Sequence, residues 1–284
     1  MGKMTDRDVA TDSPFFNWVR GEHLQHNILY TCTTTSRRGH EQLVMEHSLG
    51  YLISGEIDFH TNKGVQIVRE GSMGIIRKNE LAKSVKIPPP GGEMKAINIL
   101  LTQEHLRRYA AEHSIPTSGR YQGEPMASLS SDPFLKGYFD SLIPYFEQPD
   151  QLTQSMTDLK TFEAIELLLR RPGMRDFLFD FTEPFKIDLE AFMNINYKYN
   201  IPLSQFARLS GRSLATFKRD FRKTFDLPPE RWLHQKRLEM AHYLISQQKQ
   251  PPADVYLEVG FENMSHFSAS FKKHFGYNAS SIDS

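Results

Sequence analysis

Leu203-Ser204-Gln205-Phe206-Ala207-Arg208-Leu209-Ser210-Gly211-Arg212-Ser213-Leu214-Ala215-Thr216-Phe217-Lys218-Arg219-Asp220-Phe221-Arg222 decides how the second half of this 284-residue chain folds. Leu203, Phe206, Ala207 and Leu209 share one side of a short helix, and the small Ala207 lets another helix come close. Gly211 suits the left-handed conformation that ends a helix, and Ser213 offers an N-cap oxygen to the next one. In that longer helix Leu214, Phe217 and Phe221 are expected to face inward, leaving Ala215, Thr216, Lys218, Arg219 and Arg222 outside. A short helix, a glycine turn and a longer helix with a basic, small-residue outer face have the form of a helix-turn-helix that fits a DNA major groove. A solvated amphipathic helix shows the same face, and one copy alone favours that plainer explanation.

A second copy changes the balance. Phe221-Arg222-Lys223-Thr224-Phe225-Asp226-Leu227-Pro228-Pro229 aligns with Phe271-Lys272-Lys273-His274-Phe275-Gly276-Tyr277-Asn278-Ala279 at an offset of fifty, while Gly211 and Phe217 answer to Gly260 and Phe267. Val255 and Val259 precede the turn, and Asn263 to Lys273 is expected to form the longer helix. Its outer face carries Asn263, Ser265, His266, Ser268 and Ala269, with Lys272 as a phosphate candidate. Short hydroxyls with few charges suit phosphates and thymine methyls better than bidentate guanine contact, so this helix is expected to discriminate bases less sharply.

Between the copies, Pro228-Pro229 opens a helix at its first turn, and Trp232, Leu233, Leu238, Ala241, Leu244 and Ile245 give it an apolar side. Joined through it, two such helices would address groove segments about one turn, ~34 Å, apart. A shorter separation would require bent DNA, at a cost on the order of 1 to 6 kcal/mol.

The front half is written differently. After a loose entry segment with a Pro14-Phe15-Phe16 patch, an early strand is expected near His26 to Thr34. Seven short runs broken by glycine follow: Leu43 to Met45, Gly50 to Gly55, Ile57 to Phe59, Val65 to Val68, Gly71 to Ile76, Lys83 to Ile87 and Ala96 to Leu101. This spacing predicts a small antiparallel barrel or sandwich, with a hairpin turn at Asn62-Lys63-Gly64 and a loop at Pro88 to Gly92. Helical periods then appear over Glu104 to Glu112, Pro133 to Phe146 and Thr157 to Arg171. The last has Leu159, Phe162, Ile165 and Leu169 on its expected inner face, and ends at Pro172-Gly173. These helices are expected to pack on the barrel or to form a subunit contact.

The repeated unit resembles the DNA-binding domain of the AraC/XylS family of bacterial transcription regulators. The resemblance rests on Leu203 to Ser213, Phe217-Lys218-Arg219-Asp220-Phe221, Trp232-Leu233 with Lys236-Arg237-Leu238 and Ala241, and Glu258-Val259-Gly260-Phe261 with His266-Phe267-Ser268 and Phe271 to Gly276. Tyr256 stands where a small alanine is common, and Ala279 where a proline is. The resemblance implies Ala215, Lys218 and Arg219 as groove-facing positions, with Thr216 and Arg222 nearer phosphate and the N-cap Ser213 also among the DNA-binding residues. Asn263, Ser265, His266, Ser268 and Ala269, followed by Lys272, hold the corresponding places in the second copy. Glu46 to Ile57 is similar to the early strands of the cupin-like sensor barrel in many members. The expected architecture is therefore α+β in two domains: a cupin-like β domain over 1–125, a helical connector over 126–175, and tandem helix-turn-helix units over 182–284. Double-stranded promoter DNA and RNA polymerase are the implied partners. An effector, small molecule or protein, and a homodimer through the helices after the barrel also follow from the resemblance.

Composition sets the outer limits. A content of 39% hydrophobic and 12% aromatic residues can fill two cores, which excludes disorder throughout. The single Cys32 can form no internal disulfide, no apolar run approaches the ~20 residues of a spanning helix, and a cytoplasmic protein with no membrane partner is expected. The zero net charge divides into +3 from residue 182 onward (14 basic, 11 acidic) and −3 before it. An oxygen-chemistry cupin would need clustered histidines, whereas His40 and His47 are seven apart, His60 is isolated and Glu70 to Glu93 holds no histidine. No enzyme activity, metal or cofactor is therefore expected. A protein-binding module that uses the helical repeats without reading DNA is the remaining alternative.

Overall fold

The computed structural model describes residues 22–38, 42–61, 64–117, 120–129, 132–182 and 186–282. Pro14, Phe15, Phe16, His40, Asn62 and Lys63 lie outside the described residues, and with them the entry patch, one candidate histidine and two residues of the expected hairpin turn.

The front half is built from β1 (Glu22–Gln25), β2 (Ile28–Thr33), β3 (Arg37–Arg38), β4 (Gln42–Val44), β5 (His47–Ser54), β6 (Glu56–Thr61), β7 (Gly64–Arg69), β8 (Met73–Ile76), β9 (Glu80–Ile87), β10 (Met94–Leu101) and β11 (Met126–Ser128). The seven expected runs are β4 to β10. The expected early strand is β2, and His26, at φ 54°, turns the chain into it from β1, which lies before the expected stretch. The strands do not close into a barrel. One sheet runs β1-β2-β10-β5-β8-β11, and the other runs β3-β9-β6-β7 with β4 also on β9. Every pairing is antiparallel, and Thr61 stands opposite Gly64 in the β6/β7 hairpin. The chain crosses from one sheet to the other at Gly55, where φ is +91° and a Cβ would lie 2.7 Å from the Ile87 carbonyl. Closure would require β7 or β11 to pair onward, and among the described residues each has a single partner, β6 and β8 respectively.

Helices α1 (Gln103–Glu112), α2 (Pro133–Asp140), α3 (Ile143–Glu147), α4 (Gln154–Leu169) and α5 (Met174–Phe179) pack on the six-stranded sheet. Ile28, Leu49, Ile75, Ile97, Leu106, Phe139, Ile165 and Phe177 belong to one continuous core, so the helices following the strands share it. The helix expected over Pro133 to Phe146 is two. Pro144 has no N–H to donate to the preceding turn and would clash with it, so the helix stops at Asp140 and restarts. In α4 the expected inner face holds at Ile165, which is buried, and at Phe162 and Leu169, which pack against the core, but Leu159 is 64% exposed and Thr157 and Thr161 are buried with Ala164, Leu167 and Leu168. Hydrogen bonding accounts for this. Thr157 Oγ1 donates to Thr153 O (3.0 Å), while Thr161 Oγ1 donates to Thr157 O (2.8 Å) and accepts from the buried Asn27 Nδ2 (2.9 Å). Both hydroxyls are thereby satisfied within the core.

His47 is wholly buried beside Phe177, with Nδ1 accepting from Lys78 N at 3.4 Å. Burial first, then the Lys78 and Arg77 charges, push its imidazole down to about 3. The unfolded chain takes up this proton near the ordinary histidine value of about 6.5 and the folded chain does not. Stability is therefore fully present above that pH and falls as pH drops toward 3, by about 2 kcal/mol at pH 5. Urea midpoints at pH 5 and 7 should differ less in His47→Gln than in the parent chain, and an equal difference would remove His47 as the cause.

The second half is helical: α6 (Leu189–Asn196), α7 (Leu203–Leu209), α8 (Leu214–Phe225), α9 (Pro229–Ser246), α10 (Pro252–Glu258) and α11 (Met264–Phe275), with a 3-10 turn at Ala279–Ser281. Two cores form along α9. Leu233 joins Phe206, Ala207, Phe217 and Phe221 in the first, while Leu238, Ala241, Leu244 and Ile245 join Val255, Val259, Phe267 and Phe271 in the second. The β domain touches both helix pairs, on α7 and α10. Arg208 Nη1 lies 3.7 Å from Met45 Sδ, Lys83 Nζ donates to Leu257 O at 3.1 Å, and Leu81 packs on the first helical core.

Candidate nucleic-acid interface

Helix α8 is set at both ends by local chemistry. Gly211 takes φ +68° after α7, and Ser213 Oγ accepts from Thr216 N at 3.2 Å, capping the helix as expected. Arg212, whose side chain is 6% exposed, donates to the carbonyls of Ile187 (3.0 Å) and Ser210 (2.7 Å) and pairs with Asp220 at 3.2 Å. It fixes α8 against the preceding turn, a role its position in the motif did not disclose. Inside, Phe217, Phe221 and Phe225 form a column with ring centroids 5.4 and 4.4 Å apart, and Trp232 lies 4.6 Å beyond Phe225. The helix ends at Asp226, φ 54°, whose N–H donates to Arg222 O at 3.1 Å.

The second pair repeats this plan at the offset of fifty. Phe267, Phe271 and Phe275 are spaced by 5.6 and 4.6 Å, and Gly276, φ +85°, donates to Lys272 O at 2.8 Å. Tyr256 packs beside Phe267, its ring 6.4 Å away, and Ala279 is buried in the second core, so both departures from the family pattern are absorbed.

The expected contact residues fall on outward faces. Ser213, Ala215, Lys218, Arg219 and Arg222 are exposed, and Thr216 is half-buried with its hydroxyl 3.0 Å from Ser213 Oγ. Lys218 reaches Glu230 at 3.1 Å. Arg219 lies 3.6 Å from Asp220, whose carboxyl is held below the usual range by Lys186, at 2.9 Å, and by Arg212. Leu214 does not face inward: it is 41% exposed, because at the first helical position it lies ahead of the aromatic column and beside Ala215. On α11, Ser265, His266, Ala269 and Lys272 are exposed and Ser268 is half-buried. Asn263 is not a helical residue but the N-cap, its Oδ1 accepting from His266 N at 2.7 Å. The expected second helix therefore begins one residue later, at Met264.

Among the described residues no three His, Cys, Asp or Glu side chains could hold a metal ion together, and no helix is long and apolar enough to cross a membrane.

A profile described as a helix-turn-helix domain matches residues 206–282, and one described as the ExsA N-terminal regulatory domain matches residues 47–179. The virulence regulon transcriptional activator VirF of Yersinia enterocolitica is 26% identical over 257 residues, covering 82% of this chain and 88% of its own. The HTH-type regulator ExsA of Pseudomonas aeruginosa is 33% identical over 88 residues, 31% of this chain and 32% of its own. The transcriptional activator RhaS of Enterobacter sp. is 23% identical over 254 residues, 86% of this chain and 84% of its own. Crystalline apo ToxT from Vibrio cholerae aligns over 90% of this chain and 96% of its own, at 9% identity and a TM-score of 0.45. With an α+β architecture, a helix-turn-helix match behind a regulatory-domain match, and activators aligned along most of its length, the chain belongs to the AraC/XylS family of DNA-binding transcription regulators.

Proposed function

We propose that the chain binds promoter DNA through two helix-turn-helix units, α7–α8 and α10–α11, whose longer helices enter successive major-groove segments. One observation carries this: two helices with the same aromatic column, each capped at its start and ended by a left-handed residue, are mounted on one linker helix with their polar faces outward. Ala215, Lys218 and Arg219 read bases from α8, while Ser213, Thr216 and Arg222 lie toward phosphate. Ser265, His266, Ser268 and Ala269 do the same from α11, with Asn263 at its start and Lys272 on phosphate.

The division of labour is a regulatory β domain over 1–125, a connector over 126–175 and the DNA-binding domain over 182–284. On this reading the protein works in the cytoplasm, on the nucleoid, beside RNA polymerase. The β domain transmits an effector signal, small molecule or protein, through its contacts with α7 and α10, and the connector helices supply a dimer surface. Support for transmission comes from the Arg208–Met45 and Lys83–Leu257 contacts, one on each helix pair.

The test uses the full chain and an operator recovered from a random duplex library. Arg219→Ala and Lys218→Ala are expected to weaken binding and relax base preference, the latter after giving up its pair with Glu230. Arg222→Ala should weaken all duplexes about equally and lower the slope of log affinity against log salt by ~1. Unchanged affinity in all three variants would take α8 out of the interface.

A further inference from the structure

Two helices on one linker read two groove segments only if their separation is held, and the shared linker does not by itself account for how it is held. One side chain of α9 makes hydrogen bonds to the turns of both helix pairs. Arg237 Nε donates to Tyr197 O at 3.0 Å and Nη2 to Tyr199 O at 2.8 Å, both in the turn that leads from α6 into α7. Its Nη1 donates to Gly260 O at 3.2 Å, in the turn between α10 and α11, and to Asn200 Oδ1 at 3.3 Å. A planar guanidinium can serve three carbonyls in fixed directions, whereas an ammonium is a single point charge on a flexible stem. The Tyr197 carbonyl also lies at the C-terminal end of α6, where helix carbonyls lack partners and a cation is favoured.

The two turns are close enough that side-chain volume is excluded. A Cβ on Gly260, at φ +90°, would meet Lys198 O at 2.7 Å and Arg237 Nε at 3.0 Å. A second strap runs alongside: Asn200 Nδ2 donates to Glu262 Oε1 at 2.8 Å, again from the first turn to the second.

We propose that Arg237 is a positioning residue: by tying the α6–α7 turn to the α10–α11 turn it sets the spacing and rotational phase at which α8 and α11 meet the duplex. This rests on the reading that both helices enter DNA. Arg237 itself need touch no nucleotide.

The experiment compares the full-length parent with Arg237→Lys on three duplex sets: a single half-site, the paired site, and paired sites with one or two base pairs inserted or deleted between the halves. The parent should show a sharp spacing optimum. Arg237→Lys should hold the single half-site nearly as well, lose roughly tenfold on the optimally spaced pair, and bind misphased pairs about as well as the optimal one, as expected when effective concentration at the second site drops. The same sharp optimum in the variant would overturn the proposal, as would an equal loss on single and paired sites.

A measurement without DNA separates this proposal from the reading beneath it. In a Cys32→Ser background, nitroxides on Ala215→Cys and Ala269→Cys report the distance between α8 and α11, and Arg237→Lys should broaden that distribution. An unchanged distribution overturns the proposal. If the parent binds no duplex, the two-helix reading fails and the distance measurement still decides whether Arg237 fixes the geometry. Should Arg237→Lys not fold, Asn200→Ala, which removes the Glu262 strap and one acceptor of Arg237, is judged in both assays by the same criteria.

Discussion

Phe221→Ala is expected to destabilise the helical half by about 3 to 5 kcal/mol and to abolish duplex binding with it. Phe221 is fully buried, at the middle of the column between Phe217 and Phe225, and its ring lies 5.5 Å from that of Trp232. Truncation would remove the transfer free energy of the ring and leave a space bordered by three large aromatic groups that cannot all move into it. The loss is a large share of the 5 to 15 kcal/mol by which a domain is ordinarily stable. Urea denaturation of the full chain, with parallel titration of the operator, measures both effects. Phe271→Ala, its counterpart fifty residues on, is likewise fully buried and should behave similarly in the second core. A cost below about 1 kcal/mol for Phe221→Ala would show that the column collapses freely, contrary to the usual range for such cavities.

The second large effect is expected at Asp180, whose side chain is 2% exposed in an ion pair with Arg77. Burial alone would raise its carboxyl. The Thr182 hydroxyl and amide, the Tyr121 amide and the Arg77 charge outweigh burial and hold it below the usual carboxylate range. Thr182 N donates at 2.9 Å and Tyr121 N at 3.1 Å. Asp180→Ala would leave the largely buried Arg77 guanidinium and two amides without their acceptor, at a cost of about 3 to 5 kcal/mol. Asp180→Asn keeps an acceptor oxygen and should cost less. Because the folded carboxyl is depressed, its contribution is present above the ordinary aspartate value of about 3.9 and disappears as pH falls through the lower folded value. A parent and an Asp180→Ala chain with equal urea midpoints at pH 7 would refute the assignment.

What could be read in the residues followed how locally each feature is encoded. The column of Phe217, Phe221 and Phe225, its repeat, the Ser213 cap and the left-handed Gly211 depend on neighbours within one or two turns, so spacing reveals them. All seven strand runs were legible for the same reason. Their pairing was not, since it joins residues far apart in the chain. The turn at Gly55 and the outer sides of β7 and β11, without a further strand partner among the described residues, give two sheets where a barrel or a sandwich was expected. On α4 only Leu159 departs from the expected inner face, because Thr157 and Thr161 find local acceptors that make their buried hydroxyls inexpensive. Arg212 and Arg237 stayed hidden because their acceptors are mostly backbone carbonyls, which no residue type announces.

The eighteen residues of α9 contribute to both cores, with Leu233 lodged in one, Leu238 in the other and Met240 against both. The tail is consequently not a pair of interchangeable cassettes. A chimaera assembled to give this protein another operator would have to import both helix pairs together with Pro229–Ser246, since exchanging either pair alone sets side chains from two parents into a single fitted interior.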